Sequence, residues 1–338
     1  MHRFAYMQAQ TPAAAAATLS RNPDAMLKAG GIDLLDLLKE HLVTPALIVD
    51  ISQIEELRGV TIDRTSGVLR VGALTTFAQI ATHAEVQTGW PALTQVAAGA
   101  ATPQIRNLAT IGGNLCQRPR CWYFRQEDYL CRKKGGERCF ALEGENRYHA
   151  IFANQTCASP HPSTAAVALL AYDATLQVMD KEGKERTLAL TDFFLAPERN
   201  AQREHVLARD EVLTTLTVPR PPQGTGSAYL SLKHKQSFDW PLVEAAVVLH
   251  LDNGEVRDAR VVLGSVAPVP LRSAAAEKVL LGNRISEETA ARAGKAATAG
   301  ATPLTHNGYK VPLLAELVRR AVLKAAGQLP AAEEVMAL

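Results

Sequence analysis

Lys28-Ala-Gly-Gly-Ile-Asp-Leu-Leu35, in this chain of 338 residues, places two glycines directly before a predicted helix. Glycine has no Cβ, so backbone N–H groups can approach an anion closely, and the amino end of the helix adds favourable partial charge. The stretch therefore predicts a phosphate or pyrophosphate site. A tight turn with Asp33 as the helix cap explains the same residues and stays open on this motif alone.

A second pair of glycines occurs in Ile105-Arg-Asn-Leu-Ala-Thr-Ile-Gly-Gly-Asn114, in otherwise apolar surroundings. Thr110 and Asn114 supply short polar side chains beside these glycines. Two loops of this kind can hold the two phosphates of a dinucleotide from opposite sides. The second loop therefore favours a dinucleotide cofactor over a single phosphate.

The segments around both motifs carry helix and strand patterns. Thr11 followed by Pro12 and a run of alanines predicts a capped helix, and Asp252-Asn-Gly254 predicts a hairpin turn between strands over 241–251 and 256–265. Apolar periodicity predicts further helices over 33–41, 76–83, 91–101, 164–172, 273–281, 286–299 and 308–326, and strands over 45–51, 68–72 and 175–179. The mixture predicts a small α/β unit over the first 55 residues, a second α/β block after it, and then the hairpin followed by helices, with a linker at Pro219-Arg-Pro-Pro222.

The composition excludes several classes of protein. With 47% hydrophobic residues the chain can build cores, so it is neither disordered nor fibrous. Its net charge of +2 is too small to attract nucleic acid over a distance, and no run of about 18 apolar residues predicts a membrane span. The first residues lack the apolar core of a signal peptide. We therefore expect no nucleic-acid partner and no direct membrane insertion.

All five cysteines lie between Cys116 and Cys157, in or beside a polar segment, 117–154, that has no helix or strand periodicity. Four thiolates can hold an iron–sulfur cluster or a tetrahedral zinc ion, and a metal would order a segment with little apolar material. Seven basic against three acidic residues between Cys116 and Cys139 would stabilise an anionic cluster. A solvated basic loop with unpaired cysteines is the alternative.

The two glycine motifs together carry a specific resemblance. Ala29-Gly-Gly-Ile-Asp-Leu34 and Ala109-Thr-Ile-Gly-Gly-Asn114 resemble the two FAD-binding signatures of the medium subunit of the xanthine dehydrogenase (molybdenum hydroxylase) family. Asp210-Glu-Val-Leu213 and Leu263-Gly-Ser-Val-Ala-Pro268 are similar to further family segments. The resemblance implies an α+β protein. Its two-subdomain FAD-binding region of the vanillyl-alcohol-oxidase (PCMH) type would occupy 1–57 and 58–222, before an α+β C-terminal domain of the CO dehydrogenase flavoprotein type over 223–338.

The resemblance also implies FAD as a cofactor, and it implies no catalytic residue on this chain. The residues that it places around FAD are Lys28, Ala29, Gly30, Gly31, Ile32, Asp33, Leu34, Leu35, Thr110, Gly112, Gly113, Asn114, Thr164, Leu213 and Lys233. One of them departs from the family pattern, because Thr164 stands where relatives usually have Asp. Threonine can make a hydrogen bond but brings no negative charge.

A minority of the family carries an insertion that binds an additional [4Fe–4S] cluster, including 4-hydroxybenzoyl-CoA reductases and periplasmic aldehyde oxidoreductases. The segment 117–157 corresponds to that insertion, and Gln117-Arg-Pro-Arg-Cys-Trp-Tyr-Phe124 looks most like the aldehyde oxidoreductase version. The cluster ligands implied by this likeness are Cys121, Cys131, Cys139 and Cys157. Cys116 stands where relatives tend to have an apolar residue, so it is expected in the core as a small apolar side chain.

The function implied by the resemblance is electron transfer within a heterotrimer. A large partner subunit would hold the molybdenum cofactor, a small partner subunit would hold two [2Fe–2S] clusters, and FAD on this chain would pass electrons to an external acceptor. Two other functions stay open: a self-contained FAD oxidase of the vanillyl-alcohol-oxidase type, and a zinc-stabilised binding module without enzymatic activity. The expected compartment is the cytoplasm, or the periplasm by export together with a signal-bearing partner.

Overall fold

The computed structural model describes residues 1–235 and 238–329. These residues form two compact units that interleave along the chain. The first unit comprises 1–80, 103–137 and 173–220, and the second comprises 81–102, 138–172 and the described residues from 221 onward. Helices and sheets occur in both units, which confirms the predicted α+β class.

The strands and helices below are numbered in chain order. The strands are β1 (Ala5–Gln8), β2 (Ala25–Lys28), β3 (Leu47–Asp50), β4 (Val60–Ile62), β5 (Leu69–Gly72), β6 (Thr175–Met179), β7 (Glu185–Ala189), β8 (Val212–Val218), β9 (Thr225–Lys233), β10 (Pro241–Asp252), β11 (Glu255–Gly264) and β12 (Leu271–Arg272). The helices are α1 (Pro12–Arg21), α2 (Ile32–Lys39), α3 (Phe77–Thr82), α4 (Ala84–Gly89), α5 (Pro91–Gly99), α6 (Pro103–Leu108), α7 (Ile111–Cys116), α8 (Trp122–Arg125), α9 (Thr164–Ala171), α10 (Ala274–Leu280), α11 (Glu287–Ala297) and α12 (Lys310–Ala325).

The first unit begins with a parallel three-stranded sheet in the order β1-β3-β2. Its register pairs Gln8 with Asp50 and Asp50 with Lys28, so all three strands end at one edge. Helix α1 packs against β2 and β3, and its predicted cap Thr11 accepts a hydrogen bond from the Ala14 N–H at 3.1 Å. Since β2 ends at Lys28, the first glycine loop leaves the sheet from its carboxyl edge.

The first unit also contains an antiparallel five-stranded sheet in the order β4-β5-β8-β6-β7. The central strand β8 pairs with β5 on one side and with β6 on the other. Just beyond β5, the Ala73 N–H donates to the carbonyl of Thr214 at 2.8 Å. This bond fixes the chain before α3 to the sheet, and that stretch supports the second glycine loop.

The second unit is built on an antiparallel sheet in the order β12-β11-β10-β9. The predicted hairpin is confirmed, and its turn has positive φ at Asn253 and Gly254. The predicted helices α10, α11 and α12 are present, and α12 packs on β9 and β10. Every residue of α9 is buried. None of the described helices has the length and apolar character to cross a membrane.

A buried polar network lies inside the second unit. The ammonium group of Lys310 donates to the carbonyls of Ser265 at 2.7 Å and His149 at 3.1 Å. The Glu244 carboxyl accepts from the Ser265 hydroxyl at 2.6 Å and from the Tyr229 hydroxyl at 2.7 Å. Burial lowers the pKa of Lys310 to about 7, although Glu244 opposes this shift, and burial raises the pKa of Glu244.

This network predicts a pH-dependent stability. Above about pH 7 the folded protein holds Lys310 uncharged, whereas the unfolded chain keeps the proton up to the ordinary lysine pKa of 10.5, so the free energy of unfolding rises with pH in this window. Lys310→Met removes the titrating group and should flatten the slope between about pH 8 and pH 10. Urea unfolding at several pH values measures this slope of the free energy of unfolding. Lys278→Met, on an exposed position of α10, should keep the wild-type slope; equal slopes in all three proteins would contradict the prediction.

Candidate functional site

The start of the first glycine loop is held by a polar cluster at the carboxyl edge of the parallel sheet. The Lys28 ammonium lies 3.2 Å from a carboxylate oxygen of Asp50, which also accepts a hydrogen bond from the Tyr6 hydroxyl. The Ser52 N–H donates to the other oxygen at 2.8 Å. Burial favours a higher pKa for Asp50, but these hydrogen bonds outweigh burial and lower it. Asp50 therefore stays ionised and anchors Lys28.

The loop ends at the amino terminus of α2. Gly31 is the N-cap, with φ of +80° and no side-chain capping bond. The N–H groups of the first helical turn have no acceptor within the helix, so Ile32, Asp33 and Leu34 direct donors away from α2. The alternative in which Asp33 caps the helix is wrong, because the cap lies two residues earlier. This arrangement suits an anion such as a pyrophosphate.

The structure brings the two glycine loops together. A Cβ built on Gly30 would lie 2.0 Å from the carbonyl oxygen of Leu108, which precedes the second loop directly. No side chain fits in that space. Leu108 and Leu35 are also exposed apolar side chains of this region. The two motifs, about 80 residues apart in sequence, thus form one surface of the first unit.

The backbone N–H groups of the second loop are bonded within the protein, which the sequence does not predict. Thr110 caps α7, and the N–H groups of residues 111–114 all have acceptors within the protein. These acceptors are the Thr75 carbonyl for Ile111, the Ala73 carbonyl for Gly112, the Thr110 hydroxyl for Gly113 and the Thr110 carbonyl for Asn114. The backbone N–H groups of the second loop are therefore already bonded within the protein, and its polar side chains are the buried Thr110 and the half-buried Asn114. In the first loop, by contrast, the leading N–H groups of α2 have no acceptor within the helix.

The three remaining residues predicted around FAD lie in different parts of the fold. Leu213 is buried in β8 of the first unit, opposite Val178. Lys233 ends β9 of the second unit and donates to the Gly99 carbonyl at 2.8 Å. Thr164 begins α9 of the second unit, and its buried hydroxyl has no hydrogen-bond partner among the described residues. A buried hydroxyl without a protein partner is suited to an outside ligand.

The basic first part of the insertion pairs with carboxylates of the first unit. Arg120 and Arg125 contact Asp33 at 3.0 and 2.7 Å, while Arg118 and Lys133 contact Glu204 at 2.8 and 2.9 Å. Four of the seven basic residues that the sequence assigns to an anionic cluster therefore have carboxylate partners. The sequence analysis interpreted this positive charge as stabilising an anionic cluster, whereas the structure pairs these four side chains with carboxylates. Glu204 was missed because no sequence signal connects residues 71 positions apart.

The cysteines are divided between the two units. Cys121 and Cys131 belong to the first unit, and Cys139 and Cys157 belong to the second. A hydrogen bond with Cys157 lowers the pKa of Cys139 to about 6, and the Ala158 N–H donates to the Cys139 sulfur at 3.5 Å. Cys116 differs, because its thiol lies inside the protein and burial raises the pKa to about 12. Cys139 is therefore suited to the thiolate form and Cys116 is not.

Within residues 1–235 and 238–329, no group of three or more His, Cys, Asp or Glu side chains is arranged to hold a metal ion. The structure therefore does not display the predicted four-cysteine site. It displays the pair Cys139 and Cys157 as adjacent thiols, and Cys131 as a buried one. The cluster ligands stay a prediction.

Comparison with known families matches most of the chain. A family described as "FAD binding domain in molybdopterin dehydrogenase" matches residues 2–221, and one described as "CO dehydrogenase flavoprotein C-terminal domain" matches residues 227–325. The linker predicted at Pro219–Pro222 lies where the first match ends.

Individual relatives agree with the family matches. The aldehyde oxidoreductase FAD-binding subunit PaoB of Escherichia coli is 36% identical over 286 residues, covering 83% of this chain and 86% of PaoB. The xanthine dehydrogenase FAD-binding subunit of Escherichia coli O157:H7 is 31% identical over 274 residues, covering 81% of this chain and 77% of the relative. A solved carbon monoxide dehydrogenase from Hydrogenophaga pseudoflava superimposes with a TM-score of 0.77 at 28% identity, covering 97% of this chain and 99% of the other.

The contact between the loops predicts how glycine substitutions affect the cofactor. Gly30→Ala forces the first loop away from Leu108, and Gly31→Val puts a branched side chain at a positive φ, so each should weaken FAD binding at least about tenfold, or ~1.4 kcal/mol. FAD per chain after gel filtration and the Kd of the flavin-free protein measure this effect. Gly89→Ala is the matched control, because its Cβ meets no atom within 4 Å. Wild-type affinity in both loop variants would remove the loop from the FAD site.

Proposed function

The chain belongs to the family of FAD-binding subunits of molybdopterin dehydrogenases, and from this we propose that it is the electron-transferring flavin subunit of a molybdenum-dependent aldehyde oxidoreductase complex. The single observation that carries the proposal is the joined pair of glycine loops at the carboxyl edge of the parallel sheet. Relatives of this chain are subunits of molybdenum-containing oxidoreductases, and 36% identity to an aldehyde oxidoreductase subunit favours an aldehyde as the substrate of the whole complex.

In this proposal the first loop binds the FAD pyrophosphate. The N–H groups of Ile32, Asp33 and Leu34 have no acceptor within α2, and the helix dipole adds to their attraction for an anion. Thr110 and Asn114 contact the same group from the second loop. The bound flavin supplies redox chemistry, and the protein supplies binding, orientation and exclusion of water. Leu213, Thr164 and Lys233 are proposed as further contacts to the cofactor.

The proposed partners are a large subunit with the molybdenum cofactor and a small subunit with [2Fe–2S] clusters. Relatives named as medium chains or as FAD-binding subunits support a complex of several chains. Electrons from the aldehyde would reach FAD through the small subunit and leave to an external acceptor. A stand-alone oxidase of the vanillyl-alcohol-oxidase type is the second candidate, and a test with purified chains separates the two.

We expect the purified flavoprotein to leave an aldehyde and a simple alcohol unoxidised when it is alone. Addition of the two partner subunits should restore aldehyde-dependent reduction of its FAD, followed as loss of flavin absorbance under anaerobic conditions. The complex with Gly30→Ala is the control, because it should retain aldehyde-dependent reduction of the small subunit. Alcohol oxidation by the isolated chain would contradict the proposal and favour the stand-alone oxidase.

The proposal includes an additional [4Fe–4S] cluster in the insertion, held by Cys121, Cys131, Cys139 and Cys157. The adjacency of Cys139 and Cys157 supports two of these ligands, as does the N–H group of Ala158 directed at the Cys139 sulfur. Hydrogen bonds to sulfur are a feature of iron–sulfur sites, where they tune the reduction potential. The cluster would supply a one-electron redox centre in addition to the flavin.

The cluster proposal predicts different behaviour for the five cysteines. Cys→Ser at each of the four proposed ligands should reduce iron per chain from about four to less than about two. Cys116→Ala is the matched control and should retain the iron, because only a buried thiol is removed. Iron analysis with low-temperature electron paramagnetic resonance measures both. Stoichiometric zinc without iron in the wild type, or loss of iron only in Cys116→Ala, would contradict the assignment.

A further inference from the structure

Asp33 creates an electrostatic problem in the proposed FAD site. It is the second residue of α2, so its carboxylate lies in the same helical turn whose N–H groups face the pyrophosphate. A carboxylate and a diphosphate compete for the same positive helix end and repel each other. Asp33 is mostly buried, with 16% of its side chain exposed, so water screens this charge poorly. Neutralising the charge of Asp33 therefore favours binding of an anion here.

The insertion supplies that neutralisation. Arg125 and Arg120 contact one carboxylate oxygen of Asp33 at 2.7 and 3.0 Å, and the Arg118 N–H donates to the other oxygen at 2.8 Å. The guanidinium of Arg125 is itself fixed. Its Nε donates to the carbonyl of Pro119 at 2.8 Å, and only 9% of the side chain is exposed. The carboxylate is therefore occupied on both oxygens by groups of the insertion.

The same two arginines hold a longer stretch of α2. Arg120 also lies 3.3 Å from Asp36, and Arg125 lies 3.2 Å from Glu40. Asp33 and Asp36 of α2 and its C-cap Glu40 follow the helical repeat and form one acidic face. Two cations thus bridge three carboxylates along two turns of the helix that begins at the first glycine loop.

We propose that Arg120 and Arg125 are positioning residues of the dinucleotide site. By neutralising Asp33 and clamping α2, they keep the amino end of this helix attractive to the FAD pyrophosphate. The insertion thereby contributes to FAD affinity through its arginines, independently of any cluster that its cysteines bind. This inference rests on the proposed placement of the pyrophosphate at residues 29–35.

The test measures FAD binding to the flavin-free full-length chain at low and high ionic strength. Arg120→Gln/Arg125→Gln should raise the Kd at least about tenfold, because the charge of Asp33 is then uncompensated. Adding Asp33→Asn to that double variant should restore most of the affinity. A merely structural role predicts the opposite, since Asp33→Asn would remove further contacts and leave binding as weak or weaker. Arg125→Gln alone, with an intermediate Kd, keeps the test valid if the double variant does not fold.

Two control variants distinguish failure of this inference from failure of the proposed FAD site. Arg186→Gln breaks a two-bond arginine–carboxylate pair with Glu211 in the same unit and should bind FAD normally. Gly30→Ala tests whether the first glycine loop binds FAD. If Gly30→Ala weakens FAD binding while the arginine variants do not, this inference is wrong and the proposed site stands. If neither changes the Kd, the placement of the pyrophosphate is wrong. Weak binding in the double variant without rescue by Asp33→Asn would overturn the electrostatic role.

Discussion

The close approach of Gly30 to the Leu108 carbonyl is the constraint on which the candidate site depends. Only a residue without a Cβ permits this contact, and the contact joins a loop that follows β2 of the parallel sheet to a loop that follows α6. On one side, the parallel sheet fixes the loop through Lys28 and Asp50. On the other, the second loop is bonded to Ala73, beside the five-stranded sheet. Both loops of the site are therefore held by contacts within the first unit.

Elements with strong local signals were predictable from the sequence. The hairpin turn at Asn253 and Gly254, the cap at Thr11 and the long helix α12 each depend on residues close in sequence. Strands β1 and β2 were not predicted, because each has four residues and their pairing comes from β3, which lies farther along the chain. Local patterns carry no information about such distant partners.

The same limit explains what sequence reasoning found and missed at the site. Both glycine motifs were identified, because the need for a residue without a side chain is visible in the sequence. The alternative in which Asp33 caps α2 is wrong, because Gly31 is the N-cap and the Asp33 carboxylate is bound by Arg120 and Arg125, more than 80 residues away. The excess of positive charge in the insertion was likewise attributed to a cluster, since the opposing carboxylates lie outside it. Charge counted within one segment does not reveal which charges meet in the fold.

Amide hydrogen exchange of the flavin-free and FAD-loaded chain tests the central claim most directly. The account predicts that FAD slows exchange at the N–H groups of Ile32, Asp33 and Leu34, because these donors acquire the pyrophosphate as acceptor. The N–H groups of Ile111 and Gly112, which already have protein acceptors, should change much less. Unchanged exchange at the start of α2 on FAD binding, with protection elsewhere, would contradict the account.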